Sequence, residues 1–233
     1  MGQEVLIDDF VFVGHATPPL VASPDSGPWR RAIVGAAPPT VAGAAGGMAL
    51  SLTATNEAQN ACLYMGDVLN YDIDDLIQAD FWVQLTAAFA AANTLSFGLA
   101  SARNNDPEAI AAAALFKCVG NNNVVISTDD AVIDKCDQAT GETLVATMKR
   151  FTIDFGSGVQ TLAAPSLSKG GKANVQFLCD NGRGQLRNLA RNVLFDMSNY
   201  TGGLQPFAQI QKTAGVTTGA ATIARIRIKR RLG

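Results

Sequence analysis

Four aspartates fall within Gly66-Asp67-Val68-Leu69-Asn70-Tyr71-Asp72-Ile73-Asp74-Asp75. Carboxylates this dense could supply the oxygen ligands that calcium prefers, but the run lacks the central glycine and distal glutamate of a helix-loop-helix calcium loop. It reads as a solvated acidic turn, and no metal is expected. The single histidine, His15 beside Gly14, would have to carry any Ser-His or Cys-His scheme alone. Gly156-Ser157-Gly158 lacks the frame of a nucleophile elbow, and Gly170-Gly171-Lys172 lacks the upstream glycine and following hydroxyl residue of a phosphate loop. Asp154-Phe155-Gly156 matches a kinase tripeptide without the glycine-rich loop, strand lysine or catalytic loop that would give it meaning. No spacing among the 20 acids nominates a glycosidase pair. The expectation is a protein with no catalytic residues and no cofactor.

Cys62, Cys118, Cys136 and Cys179 form no C-x-x-C pair and no zinc spacing with His15, so they are expected to be reduced and to pack as small apolar residues. Trp29, Trp82, Tyr64, Tyr71 and Tyr200 could serve as platforms for a sugar. Aromatics make up only 7% of the chain, and Trp82 falls in a core-type strand, so packing is the expected role of each. Charge is uneven: Ser51 to Glu142 holds 13 acids and 3 bases, Thr143 to Gly233 holds 13 bases and 3 acids. Interleaved strands from the two portions would neutralise each other, whereas poles left unmatched would dock on a complementary partner or a second copy.

These side chains must be positioned by a largely β framework. The chain of 233 residues is 48% apolar, enough for one large core. No window approaches the roughly 20 apolar residues of a membrane span. The start, Met1-Gly2-Gln3-Glu4, lacks a secretion signature, so synthesis and retention in a cytoplasm are expected. Apolar residues recur at period two in short runs, which predicts an antiparallel sandwich. Strands are expected at Val5 to Val13, Met48 to Thr53, Ala61 to Met65, Asp80 to Leu85, Thr94 to Ala100, Leu115 to Val119, Val124 to Thr128, Lys149 to Phe155, Asn174 to Cys179, Phe207 to Gln211 and Thr222 to Lys229. Phe151, Ile153 and Phe155 share a core face. Asn121-Asn122-Asn123 and Asp180-Asn181-Gly182 are hairpin turns. Asp106-Pro107-Glu108 predicts at most one short helix near 107–114. The Ala/Gly/Pro-rich stretch from Ala32 to Gly47 reads as a long surface loop or arm. In the last strand Ala224, Ile226 and Ile228 face one way and the bases the other, with Arg230 and Arg231 as a basic tail. Pairing of the termini would bring these bases to Glu4, Asp8 and Asp9. A basic face without interleaved aromatics, in a chain of pI about 5.4, argues against nucleic acid.

The block Phe195-Asp196-Met197-Ser198-Asn199-Tyr200-Thr201-Gly202-Gly203-Leu204-Gln205-Pro206-Phe207 is a turn-rich connection anchored by Phe195, Leu204 and Phe207. It follows, in order, Ile7-Asp8-Asp9-Phe10, Asp25-Ser26-Gly27-Pro28-Trp29, Glu57 to Asp67, Asp72-Ile73-Asp74-Asp75-Leu76, Thr94 to Ala100 and Lys149 to Phe155. This succession, over roughly residues 5 to 229, resembles virion structural proteins of tailed bacteriophages, which are similar to concanavalin A-like jelly-roll sandwiches. The resemblance implies a single all-β domain over 1–233, a two-sheet antiparallel jelly roll with an amino-terminal strand and arm at 1–47 and a basic tail at 222–233. It implies a capsid decoration (cement) protein on the outer surface of the virion, with the major capsid protein as partner, a homotrimeric state and no membrane. Arg30, Arg31, Arg225, Arg227, Lys229, Arg230 and Arg231 are the expected partner contacts. Arg183, Arg187 and Arg191 make the segment Gly182 to Asn192 more basic than the resemblance leads one to expect. The alternative is a glycan-binding, lectin-like module of a head or tail fibre, with Trp29 or Tyr71 in an exposed aromatic cluster; a third is a glycosidase.

Overall fold

Sixteen strands form among the residues described by a computed structural model, 4–14, 16–20, 27–68, 70–120, 122–156, 171–180 and 182–232. In chain order they are β1 (Val5–Val11), β2 (Arg30–Val34), β3 (Thr40–Ala44), β4 (Gly47–Ser51), β5 (Gln59–Tyr64), β6 (Tyr71–Asp72), β7 (Leu76–Ala87) and β8 (Asn93–Ala100). There follow β9 (Ala112–Val119), β10 (Asn123–Asp130), β11 (Asp134–Thr143), β12 (Lys149–Asp154), β13 (Gln176–Asp180), β14 (Leu186–Asn188), β15 (Gly203–Lys212) and β16 (Ala220–Arg231). The first sheet runs β14-β13-β12-β7-β16-β4-β3, with β1 also on β16. The second runs β11-β10-β9-β8-β15-β5-β2, with β6 on β15, and every pairing is antiparallel. This is the two-sheet antiparallel sandwich expected from the apolar alternation, and the jelly roll that the resemblance implies.

Alternation decides which face each sheet buries. Along β7, Ala79, Phe81 and Val83 point into the core, while Gln78, Asp80 and Trp82 point out. Phe81, Phe151 and Phe177 of the first sheet meet Phe97 and Phe116 of the second, with ring centroids 5.1 to 6.1 Å apart, and Phe195 closes the row at 5.0 Å from Phe177. Each such ring removed from water contributes about 1.5–3 kcal/mol. Phe151, Ile153 and Phe155 are all buried, as their spacing predicts. Strand alternation also interleaves the oppositely charged portions: β7, from the acidic one, lies between β12 and β16, from the basic one.

The structure corrects three expectations. Ala32 to Gly47 is not a loop or arm, since most of it forms β2, β3 and the β3–β4 hairpin. Its small side chains hid this, because edge strands are held by backbone ladders, and in β3 only Val41 is fully buried. Gly47 (φ 135°) lets that hairpin close on β16, where a Cβ would come within 2.4 Å of the Ile223 carbonyl oxygen. Second, β11 lacks apolar alternation because it is an exposed edge strand, so nothing in Asp134–Thr143 marked it. Third, a register shift between Ile223 and Arg225 puts Ala224 at a bulge; Ile223, Ile226 and Ile228 face the core instead. The short helix expected near 107–114 is present as a 3-10 turn, Pro107–Ala109, capped by the Asp106 carboxylate and leading into β9, and a second such turn forms at Lys172–Asn174. Asn122 (φ 64°) and Gly182 (φ 80°) occupy the two expected turns, whose Asn121 and Asn181 lie outside the described residues. So do Gln3, His15, Asp25, Ser26, Ser157 and Gly170.

Candidate functional site

The outer face of the second sheet carries residues of alternate parity from five neighbouring strands. They include Asn60 and Cys62 of β5, Phe207, Gln209 and Gln211 of β15, Ser96 and Ala100 of β8, Ala113, Leu115 and Lys117 of β9 and Ser127 of β10. The β8–β9 connection, residues 101–111, folds back over this face. Ile110 seals a small apolar cluster with Cys62, Ala100, Ala113, Leu115 and Phe207. The Asn105 carbonyl accepts from Asn60 Nδ2 and from Gln209 Nε2, each at 2.9 Å. Lys117, its side chain 2% exposed, pairs with Glu108 Oε1 of the connection at 2.6 Å and with Asp137 of β11. Burial opposes its charged form, but the two carboxylates outweigh burial and hold the ammonium pKa above its ordinary value.

Beside this cover the face opens into a cleft of about 460 Å³. Its walls are Val34, Ala58, Gln59, Asn60, Asn105, Asp106, Gln211, Lys212 and Thr213, four of them side-chain amides, and among these described residues Asp106 is the one carboxylate. Asp106 is already occupied as a cap, its Oδ1 accepting from Glu108 N–H at 3.1 Å. Among the described residues, the buried Asn60 Oδ1, Gln209 Oε1 and Ser96 Oγ have no hydrogen-bond partner. Buried acceptors are normally satisfied, and of these three residues Asn60 lines the cleft. Chemically the cleft can hold an uncharged, hydrogen-bonding ligand.

The residues singled out in the sequence lie elsewhere. Trp29 is buried against Phe10 and Phe12, and Tyr71 is buried with Arg230 over its ring, so neither forms an exposed cluster. Trp82 is on the outer face of the first sheet beneath Arg150, Arg225 and Arg227. Tyr64 flanks the sealed cluster on the second sheet, and Tyr200 donates from its hydroxyl to the Gly203 carbonyl. The four aspartates do not converge: Asp67 accepts from Arg103 N–H and from Gln205, Asp72 from Asp74 N–H, and Asp74 pairs with Lys172. Of the cysteines Cys136 is exposed and the other three are buried and unpaired; burial pushes the Cys118 and Cys179 thiols up to about 12. In the Phe195–Phe207 block, Phe195 and Leu204 anchor the main core, while Phe207 belongs to the cluster under Ile110. Asn199 donates from Nδ2 to Asp130 at 2.8 Å, and Gln205 accepts from Met65 N–H at 3.0 Å.

The expected partner contacts are mostly engaged within the chain. Arg225 Nε donates to Asp9 at 2.7 Å, Arg227 to Asp80 at 2.9 Å, Lys229 to Gln78 at 3.0 Å and Arg230 to Asp8 at 3.2 Å. Arg231 donates to the Asp74 carbonyl and Arg30 to the carbonyls of Gly27 and Trp29, while Arg31 lies half-buried on the edge strand β2. The pairing of the termini is as expected, β1 against β16 with opposite charges opposed.

No family model and no curated protein matches the sequence. Solved structures do match in three dimensions. A β-glucanase of Bacillus licheniformis superposes with a TM-score of 0.58 at 14% identity, covering 94% of this chain and 97% of that one. The chain has the lectin and glucanase jelly-roll fold. The same jelly roll is found in the carbohydrate recognition domain of Emp47p, with a TM-score of 0.57 at 11% identity over 95% of this chain and 97% of that one. Peanut lectin, with a nine-residue peptide, gives 0.56 at 10% identity over 99% of both chains.

Proposed function

We propose that the protein is a carbohydrate-binding jelly-roll module that holds its ligand at the amide-lined cleft of the second sheet without hydrolysing it. The observation that carries this reading is the lining: the amide residues Gln59, Asn60, Asn105 and Gln211 surround one opening. Side-chain amides both donate and accept, which suits the paired hydroxyls of a sugar. The likeness to a carbohydrate recognition domain and to a lectin supports the reading. Hydrolysis requires two carboxyl groups about 5–10 Å apart, whereas among the described residues that line the cleft Asp106 is the one carboxylate. Nearby Glu57 is tied to the Ala36 and Ala37 N–H groups. Binding to one or more sugars on a broad glycan array is expected, with no products from a polysaccharide panel. Gln211→Ala should weaken the best hit by about tenfold, the effect of losing about 1.4 kcal/mol of hydrogen bonding. An array without signal would sink the reading.

A second reading is favoured by the ordered sequence blocks: a structural protein on the outer surface of a tailed-phage head, bound to the major capsid protein. Those blocks have architectural roles here, Phe151 and Phe195 in the core and the Asp8–Asp9 pair against β16. Mixing the protein with undecorated heads and imaging them by cryo-electron microscopy tests it. Bare heads would reject it.

A further inference from the structure

The β8–β9 connection lies on the outer face of the second sheet without joining it. Its ends meet where the strands stop: Ser101 N–H donates to the Ala112 carbonyl at 2.8 Å, and Ala112 N–H to Ser101 Oγ at 3.2 Å. Residues 102–111 between them form no strand and bury only Pro107 and Ile110. Compact surface loops with closely spaced ends are often functional elements. Three polar fastenings hold this one down. Asp67 accepts from Arg103 N–H at 2.9 Å, the Asn105 carbonyl takes the Asn60 and Gln209 amides, and Glu108 pairs with Lys117.

What the loop covers is arranged like a binding surface. Strand register puts Gln209, Ser96 and Lys117 in one row across β15, β8 and β9, and Tyr64, Phe207 and Leu115 in the next. Hydrogen-bonding side chains beside an aromatic row suit the edge and the face of a sugar ring. The polar row runs on into the cleft, because Asn60 and Asn105 belong to both. The cover also fits imperfectly. Asn60 Oδ1, Gln209 Oε1, Ser96 Oγ and Arg103 Nε are buried with no hydrogen-bond partner among the described residues. Each such group penalises the closed arrangement, and lifting the loop returns it to water.

We propose that residues 102–111 are a lid, latched by Glu108 on Lys117, over an extension of the cleft that takes further units of an uncharged glycan chain. The occupant rests on the carbohydrate reading of the cleft; the lid does not.

Cys62 belongs to the cluster sealed by Ile110 and so reports on the lid, whereas Cys118 and Cys179 sit in the main core. Burial raises the pKa of all three thiols, so thiolate chemistry gives Cys62 no advantage. In Cys136→Ser protein, which lacks the exposed thiol, iodoacetamide labelling read by peptide mass spectrometry should find Cys62 modified at least tenfold faster than the other two. Adding Glu108→Gln, at a half-exposed position, should speed Cys62 at least a further threefold and leave Cys118 and Cys179 unchanged. Equal rates at the three thiols would overturn the lid, because Cys62 would then open only with the whole fold. A Cys62 rate indifferent to Glu108→Gln would overturn the latch. Calorimetry judges the occupant. The neutral glycan with the strongest array signal, as its hexasaccharide, should bind Glu108→Gln at least threefold tighter than wild type, while its disaccharide gains nothing. A hexasaccharide that gains nothing would confine the ligand to the cleft and reject the extension. An array without signal would reject the glycan, while the thiol rates would still decide the lid.

Discussion

At Asp80 a single carboxylate organises the outer face of the first sheet. It is fully buried, yet it accepts from Thr152 Oγ1 at 2.6 Å, from Gln78 Nε2 at 2.7 Å, and from Arg150 and Arg227. Burial raises its pKa, but the Thr152 hydrogen bond and the two guanidinium groups outweigh it and hold the carboxyl below the ordinary 3.8. The arginines thus gathered lie over the Trp82 ring at 5.3 and 5.5 Å, adding cation–π contacts to the pairs. A folded pKa below the unfolded one contributes stability above the unfolded value and loses it as the pH falls through the folded one. Asp80→Asn leaves two guanidinium groups facing a neutral amide, and should cost about 3 kcal/mol at neutral pH. Urea unfolding across a pH series checks this: the gap between wild type and Asp80→Asn should narrow steadily below pH 3.8. A gap that held constant into acid would mean that packing, not charge, is what Asp80 contributes.

Two loops that frame the cleft, 52–58 and 213–219, are bound together by one ammonium. Lys212, at the end of β15, donates to the carbonyls of Thr53 and Thr55 at 2.6 Å, of Gly215 at 2.9 Å and of Thr217 at 3.3 Å. Lys212→Met keeps the stem but strands these acceptors, and should cost about 3 kcal/mol. Amide exchange at residues 53–57 and 213–217 should quicken while exchange in the Phe97–Phe116 core strands stays slow; uniform quickening would show a global effect instead. The strands bordering these loops were legible because Ala208-Gln209-Ile210-Gln211 of β15 alternates apolar and polar residues and β4 and β5 hold the short apolar runs Met48 to Leu50 and Ala61 to Leu63. β2, β3 and β11 were not, because an edge strand needs only a backbone ladder, and small or charged residues satisfy it. The cleft was illegible for a related reason. Asn60 and Asn105 are 45 positions apart and meet only because residues 101–111 fold over the sheet. Asp106-Pro107-Glu108 signalled a helix start without saying where it would lie. Trp29 and Tyr71 are spent on packing, the role expected of them, and mark no part of the cleft.

On the scale of the whole molecule, the opposite charges of the two portions of the chain are largely spent inside the fold. β7 of the acidic portion lies between β12 and β16 of the basic one, Asp80 holds Arg150 and Arg227, and Glu142 of β11 pairs with Lys149 and Arg187. Salt screens exposed pairs over a few ångströms at about 1 M and buried pairs much less. Raising the salt from about 0.05 to about 1 M should therefore lower the stability of the wild type by no more than about 1 kcal/mol, measured by urea unfolding. The difference between wild type and Asp80→Asn should persist across that range, because the Asp80 carboxylate is fully buried. A difference that vanished in high salt would mean that solvent reaches the pairs over Trp82, and that the first sheet is held together by its core face alone.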